Sequence, residues 1–563
     1  MDFTRRDASR LLALGVLGAS LATPAFAAAG PVRLPLNEFV AEPRLLKALR
    51  KGVAAMKRRK PSDPLSWFYQ ASIHGVSDNL WSAQVHDDPD VQKVDRAKYW
   101  NQCPHKGENS ANFLPWHRAY MHHFEQILRM HAEEDDFAIP YWDYSQPDQR
   151  EFPRALGVQH LDGNTANNDP ANINPLFHAE RDHFLCGYEH PFTDQLPLTE
   201  LSARAVDASR PMNCPVFFGD TETDGAGGGI ADNDPGTRGL FEQSPHDHLH
   251  RAIGGNVQGT DGQGNPSFAI GGMAAPPTAA FDPIFPIHHA NMDRLWARWS
   301  RLPGKRWGKL PAAAWFDERP WFFFDTKAQE VNRPRRDYFD QQALGVRFKD
   351  DDPNTPPLRL PPLAAAPMAG MMAGARVLTT RASEVQSLRT TTPISAPTTQ
   401  PTVLSLSPKG PAFAPADRRF DLVMKAFKPK TERMTLTLLD AEIGLTGSSG
   451  FDVYLARRGT AAESLRRDSP LYLGPISIFN HAMDDSPSID QSFDITGALV
   501  ALHQSTLEGL ELVLAPYALA TAPKISNLPL PVPVRRLDAS GFSVTRSELD
   551  APPPPMDQHM HQH

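Results

Sequence analysis

Residues 242–255 read EQSPHDHLHRAIGG, from Glu242 to Gly255. Ser244-Pro245 is a helix-start signal, because a proline in the first turn gives up no intrahelical hydrogen bond, and Gly254-Gly255 is a stop. Between them His246 and His250 are four residues apart. On a helix that spacing stacks two side chains on one face, about one turn apart, so two ring nitrogens can converge on one metal ion. His248 points to another face and reads as a surface residue. Three more stretches carry the same punctuation. One starts at Asp63-Pro64. One starts at Pro115, where Phe113, His117, Tyr120, Phe124, Ile127 and Leu128 recur at helical spacing. One runs from Pro286 to Trp299. Four helices sharing a face predict a mainly α domain, a four-helix bundle core with long loops and a site at its centre.

The histidines near the other helix ends extend the pattern. His74 is expected near the end of the helix that begins at Asp63, with Gly75 as its stop. Cys103-Pro104-His105 follows in a loop, and His117 stands in the first turn of the next helix. Three neutral imidazoles suit copper. By residue type alone His122, His123 and His131 are equal candidates, but the first two fall on other helix faces than His117 and the third lies about four turns away. In the last helix His289 and Asp293 are again four apart, and an acid there is placed to orient imidazoles. Two trios of histidine on four helix ends are far more specific than either pair alone.

These residues resemble the tyrosinase, catechol oxidase and mollusc haemocyanin family of coupled dicopper proteins. The matching pieces are Ile73-His74-Gly75, Cys103-Pro104-His105, FLPWHRAY from Phe113 to Tyr120, and Pro140-Tyr141-Trp142-Asp143. Then come EQSPHDHLHRAIGG and DPIFPIHHANMDRLW from Asp282 to Trp296. The resemblance covers about 65 to 300 and its motifs come in family order. It implies that His74, His105 and His117 bind one copper and that His246, His250 and His289 bind the other. His86 competes with His74. Cys103, two residues before His105, is implied to be joined to it by a thioether.

The resemblance also implies the chemistry: oxidation of o-diphenols to o-quinones with O2, and ortho-hydroxylation of monophenols. By analogy Glu242 holds a water near the copper and Asp247 helps to activate it. Arg251 is expected to border the substrate entrance and to favour acidic phenols, with Met273 and Pro276 where a gate would overhang the metal. There are departures. Pro286 replaces a large apolar residue, Asp247 replaces an asparagine, and Gly345 to Phe348 stands where a tyrosine-containing strand closes the copper domain. Catechol oxidation without monophenol hydroxylation is the alternative within the family, and an oxygen carrier is the alternative outside catalysis. A zinc hydrolase built on His246 and His250 lacks the glutamate of H-E-x-x-H.

The rest of the chain frames this domain. It has 563 residues, a net charge of −8 and no long basic run, which excludes nucleic acid as an expected partner. Three cysteines are too few for a disulfide scaffold, although Cys186 and Cys214 form a candidate bridge. Residues 1–27 read as a twin-arginine export signal: Arg5-Arg6, an apolar run from Leu11 to Leu21, and Ala25-Phe26-Ala27 as the cleavage site. The expected location is therefore periplasmic or secreted, without a membrane span in the mature form. The copper domain is placed at 28–350 and a Pro/Thr/Ser-rich linker at 351–400, with Met368, Met371 and Met372 inside it. Short strand-like runs at 401–549 predict a β-sandwich. It resembles the lid-like domain that follows the copper domain in plant enzymes. A Pro/His-rich tail at 550–563 carries His559, His561 and His563.

Overall fold

In the computed structural model the described residues are 30–77, 88–104, 110–189, 199–219, 225–229, 238–260, 266–361, 386–389, 393–406, 428–429, 432–443, 449–476, 489–520 and 536–548. The export signal, the three linker methionines, His86, His105 and the terminal histidines lie outside them.

The N-terminal half is helical. Helix α1 (Pro43–Lys57) packs on the long helix α3 (Phe113–Ala132), and α2 (Trp67–His74), α4 (Asp247–Gly254) and α5 (Ile284–Trp299) complete the set. The expected stops hold: α2 ends before Gly75 and α4 before Gly255. The starts shift by two or three residues. Helix α2 begins after Ser66, whose hydroxyl accepts the Tyr69 amide at 3.0 Å, while Asp63 accepts the Leu65 amide at 2.9 Å in a turn before it. Ser244-Pro245 does not open α4. Ser244 is extended (φ −155°, ψ 129°) inside a wide turn from Glu242 to His246, and regular helix starts at Asp247.

Buried charge ties the helices together. Asp293 on α5 accepts Arg118 of α3 at 2.6 Å and Arg33 at 2.9 Å, and Arg33 also reaches Glu125 of α3 at 2.8 Å. The expectation that Asp293 orients an imidazole is thereby corrected: both its oxygens are taken by guanidiniums. Arg33 lies on strand β1 (Val32–Arg33), which pairs in parallel with β2 (Arg347–Phe348), so the Gly345–Phe348 segment closes this domain without its tyrosine. The chain stays on the helical domain past residue 350, since Leu358 donates to Ser300 O at 2.9 Å and Trp307 to Arg359 O at 2.7 Å. Cys186 and Cys214 are not bonded to each other. They belong to different apolar clusters, and Cys214 Sγ faces Val216 O instead.

The C-terminal region is two sheets. One has the order β4 (Ile394–Pro397), β11 (Arg536–Ala539), β6 (Glu432–Ile443), β12 (Gly541–Glu548), β3 (Gln386–Arg389), with β9 (Ile489–Asp494) also on β6. The other runs β5 (Thr402–Ser405), β10 (Leu510–Ala518), β7 (Ser449–Arg457), β8 (Tyr472–Ile476). Alternate residues such as Leu436, Leu438, Phe451, Val453, Leu512 and Leu514 share one core, as two packed sheets require. Strands β3 and β4 lie within the stretch read as linker. The Ser, Thr and Pro in and around them mimic a spacer, and only long-range pairing to β12 and β11 reveals them as strands.

Candidate metal centre

Two groups of metal-type donors meet between α2, α3, α4 and α5. His74, Cys103 and His117 form one, and His246, His250, His288 and His289 the other. In each group one donor atom per residue lies within 4.8 Å of the rest. The groups adjoin. The rings of His117 and His289 stack with centroids 4.2 Å apart, and His117 and His246 are 6.1 Å apart. Phe285 contacts His74, His250 and His289 (4.7, 5.7 and 4.2 Å), and Phe113 contacts His117 and His246 (both 4.6 Å), so apolar walls close the site on two sides. His74, His117, His246, His250 and His289 are 0–3% exposed.

Four of these rings have one nitrogen fixed by the scaffold. His74 Nδ1 donates to Pro276 O (3.2 Å), His117 Nδ1 to Phe113 O (2.8 Å) and His250 Nδ1 to Met273 O (2.8 Å). His246 Nδ1 donates to Asp247 Oδ1 at 2.8 Å. A proton held at Nδ1 leaves Nε2 as a lone pair for metal, the usual arrangement of a ligand histidine. Nε2 of His250 and His289 face each other at 3.3 Å, and His289 Nδ1 has no hydrogen-bond partner among the described residues. Burial, and then the neighbouring His117, push His289 well below the ordinary histidine range, so it is neutral. Neutral, buried, convergent imidazoles are a donor set that fits copper.

Met273 and Pro276, expected at an entrance, are buried and act through their carbonyls, one on each histidine group. The close approach depends on Gly75, where a Cβ would come within 2.8 Å of Pro276 O. Arg251 is also buried, at 6% exposure, so it is not placed at an open mouth.

Arg238 was invisible to sequence reasoning. Its guanidinium lies 3.2 Å from Glu242 Oε1 and 2.5 Å from Asp247 Oδ2. Burial opposes its charge, but Asp247 and then Glu242 outweigh that and hold its pKa above the ordinary value. The i, i+4 offset to Glu242 was a signal; the contact with Asp247 depends on the wide turn.

His288 was also passed over. It stacks 5.4 Å from His246, and neither ring nitrogen has a hydrogen-bond partner among the described residues. His248 is not a surface residue. It is 1% exposed, and its Nε2 accepts the Tyr517 hydroxyl of β10 at 2.7 Å. Burial pushes its pKa down to about 3. Histidines 122 and 123 point away from the centre, to Gln126 and to the Tyr338 hydroxyl respectively.

Comparison with known proteins agrees with this site. Residues 64–302 match the family model described as the common central domain of tyrosinase. Tyrosinase HcTyr1 of Hahella sp. (strain CCB-MM4) is 29% identical over 313 residues, covering 53% of this chain and 59% of that protein. The chloroplastic (+)-larreatricin hydroxylase of Larrea tridentata is 28% identical over 341 residues, 57% of this chain and 50% of that protein. The chain thus spans about half to three-fifths of the length of these relatives. Among solved structures, a latent aurone synthase (polyphenol oxidase) aligns over 93% of this chain and 91% of its own, with a TM-score of 0.51 and 18% identity. Latent apple tyrosinase aligns over 92% and 98%, with a TM-score of 0.51 and 19% identity. These two share the whole fold, helical domain and β-domain together. Residues 64–302 are thus similar to the central domain of the tyrosinase and catechol oxidase family, whose members carry a dinuclear copper site.

Proposed function

We propose that this chain is a copper phenol oxidase that converts o-diphenols to o-quinones with O2. His74, His105 and His117 hold one copper, and His246, His250 and His289 hold the other. The observation that carries this reading is the meeting of the two histidine groups, with His117 stacked on His289 at 4.2 Å. A bound copper pair supplies the redox chemistry: two catechols lose four electrons and four protons together as one O2 becomes two waters. The chain's own residues orient and insulate that pair. Carbonyls of Pro276, Phe113 and Met273 set three rings, the Asp247 carboxylate sets a fourth, and Phe113 and Phe285 exclude water.

Glu242 and Asp247, one turn before His246 and directly after it in the chain, are the candidate bases for a phenolic proton. Both are engaged by Arg238, and Asp247 also holds His246. A carboxylate beside a guanidinium is a weaker base. Ortho-hydroxylation of monophenols, which gains from such a base, is therefore expected to be slow beside catechol oxidation. An oxygen electrode with tyramine and then catechol tests both statements. Prompt uptake with catechol and slow uptake with tyramine is expected. Reversible oxygen binding without catechol consumption would instead favour an oxygen carrier.

Two further parts belong to this proposal. Cys103 is joined to His105 by a thioether; full alkylation of Cys103 after unfolding rejects it. Residues 1–27 direct export, which a mature N-terminus at Ala28 would support. Among the described residues no helix is long and apolar enough to cross a membrane.

A further inference from the structure

The β-domain meets the helical domain directly behind the second histidine group. Ser202 donates its amide to Leu519 O (2.9 Å) and its hydroxyl to Ala518 O (2.7 Å), and Leu201 bridges to Ala520. This backbone seam delivers Tyr517, at the end of β10, onto α4. Gly450 on the neighbouring strand makes room for it, since a Cβ there would come within 2.6 Å of the Tyr517 ring. Arg467 covers the other side, 4.8 Å from the ring centroid, and is itself bound by Asp452 at 2.8 Å.

The Tyr517 hydroxyl starts a chain of hydrogen bonds. It donates to His248 Nε2 at 2.7 Å. His248 Nδ1 lies 3.3 Å from Ser244 Oγ, the His248 ring also meets the Ala205 backbone, and Ser244 donates to Asp207 O at 2.9 Å. His246 lies midway between Ser244 and His248, in the one irregular turn of the ligand helices. Within the turn the Asp247 amide donates to Glu242 O, while the extended Ser244 is tied from outside by these bonds.

We infer that Tyr517, through His248 and Ser244, is a positioning residue for His246, and that the β-domain is thereby part of the scaffold of the second copper site. This is a different role from covering the entrance, because the contact is made behind the ligands. It rests on the assignment of His246 and His250 to copper.

The test uses the full-length, copper-loaded protein and Tyr517→Phe, which keeps the ring and removes only the hydroxyl. Copper is withdrawn with chelators of graded strength and counted per chain, and EPR follows the protein that has lost one ion. The expected result is a second site weakened about 10-fold, the lower end for outer partners of a metal ligand, with the first site unchanged. An uncoupled Cu(II) signal should then appear at chelator strengths where the unmodified protein shows none. His248→Gln, which can still accept from Tyr517, should retain copper better than His248→Leu. Equal copper affinity at both sites in Tyr517→Phe overturns the inference. So does equal affinity in the two His248 variants, which decide the matter if Tyr517→Phe fails to fold. An unmodified protein that never binds a second copper would instead reject the ligand assignment itself.

Discussion

The two histidine groups face each other but are held by different means. In the first, His74 and His117 lean on the main-chain carbonyls of Pro276 and Phe113. In the second, His250 also leans on a carbonyl, that of Met273, but His246 leans on a carboxylate that is itself ion-paired to Arg238, and His248 beside it is bonded to another domain. A carbonyl is a neutral acceptor fixed by the fold of its own segment. A carboxylate is a charge, and it raises the basicity of the ring it holds. The first site is thus set by neutral main-chain acceptors, whereas the second is also coupled to charge and to the β-domain.

The largest effect is expected from removing a shared wall of the two groups. His289→Ala should abolish catechol oxidation and lower copper to one per chain; two bound coppers in that variant would break the pairing of sites described above. Next is Asp293→Asn. It removes the anion that joins α3 to α5 and leaves Arg118 buried against a neutral partner, which should destabilise the fold by about 3 kcal/mol. Denaturant unfolding measures it. Because the two helices carry His117 and His289, loss of copper from both sites in step would accompany it, and loss from one alone would contradict this link.

Asp247→Asn separates the groups. It should weaken the second copper about 10–100-fold and leave the first untouched, which chelator competition can resolve. Equal loss from both sites would erase the distinction drawn between carbonyl and carboxylate support.

The smallest effect concerns groups outside both sites. Burial lowers the pKa of His122 to about 4 and that of His123 well below its ordinary 6.5. Between about pH 6.5 and 4 the unfolded chain binds these protons and the folded chain does not. Stability from this pair is therefore complete above about 6.5 and falls as the pH drops, by up to about 1.4 kcal/mol per pH unit for each histidine. Melting temperature against pH measures it. His122→Gln should flatten the slope without changing copper content at neutral pH.

Much of the site was legible because it obeys short-range rules. His246 and His250 declare a helix face by their spacing, Gly75 and Gly254-Gly255 stop two helices where expected, and the alternation in Met434 to Leu438 marks a strand. What failed did so at long range or at irregular backbone. Ser244-Pro245 has the form of a helix start, yet it lies in a wide turn held by His248 and Asp207. Strands β3 and β4 look like linker until their partners, some 140 residues or more away, are seen.

The sequence by itself determined the donor set, since imidazoles at helical spacing are written in the local order of residues and need only a helix to converge. Tertiary structure alone decided what surrounds the donors. It brought Arg238 to Asp247, turned Asp293 from the imidazoles to Arg33 and Arg118, and laid Tyr517 on His248 across 269 residues of chain. Those contacts depend on where whole elements pack, and no periodicity along a chain encodes the distance between two of its elements in space.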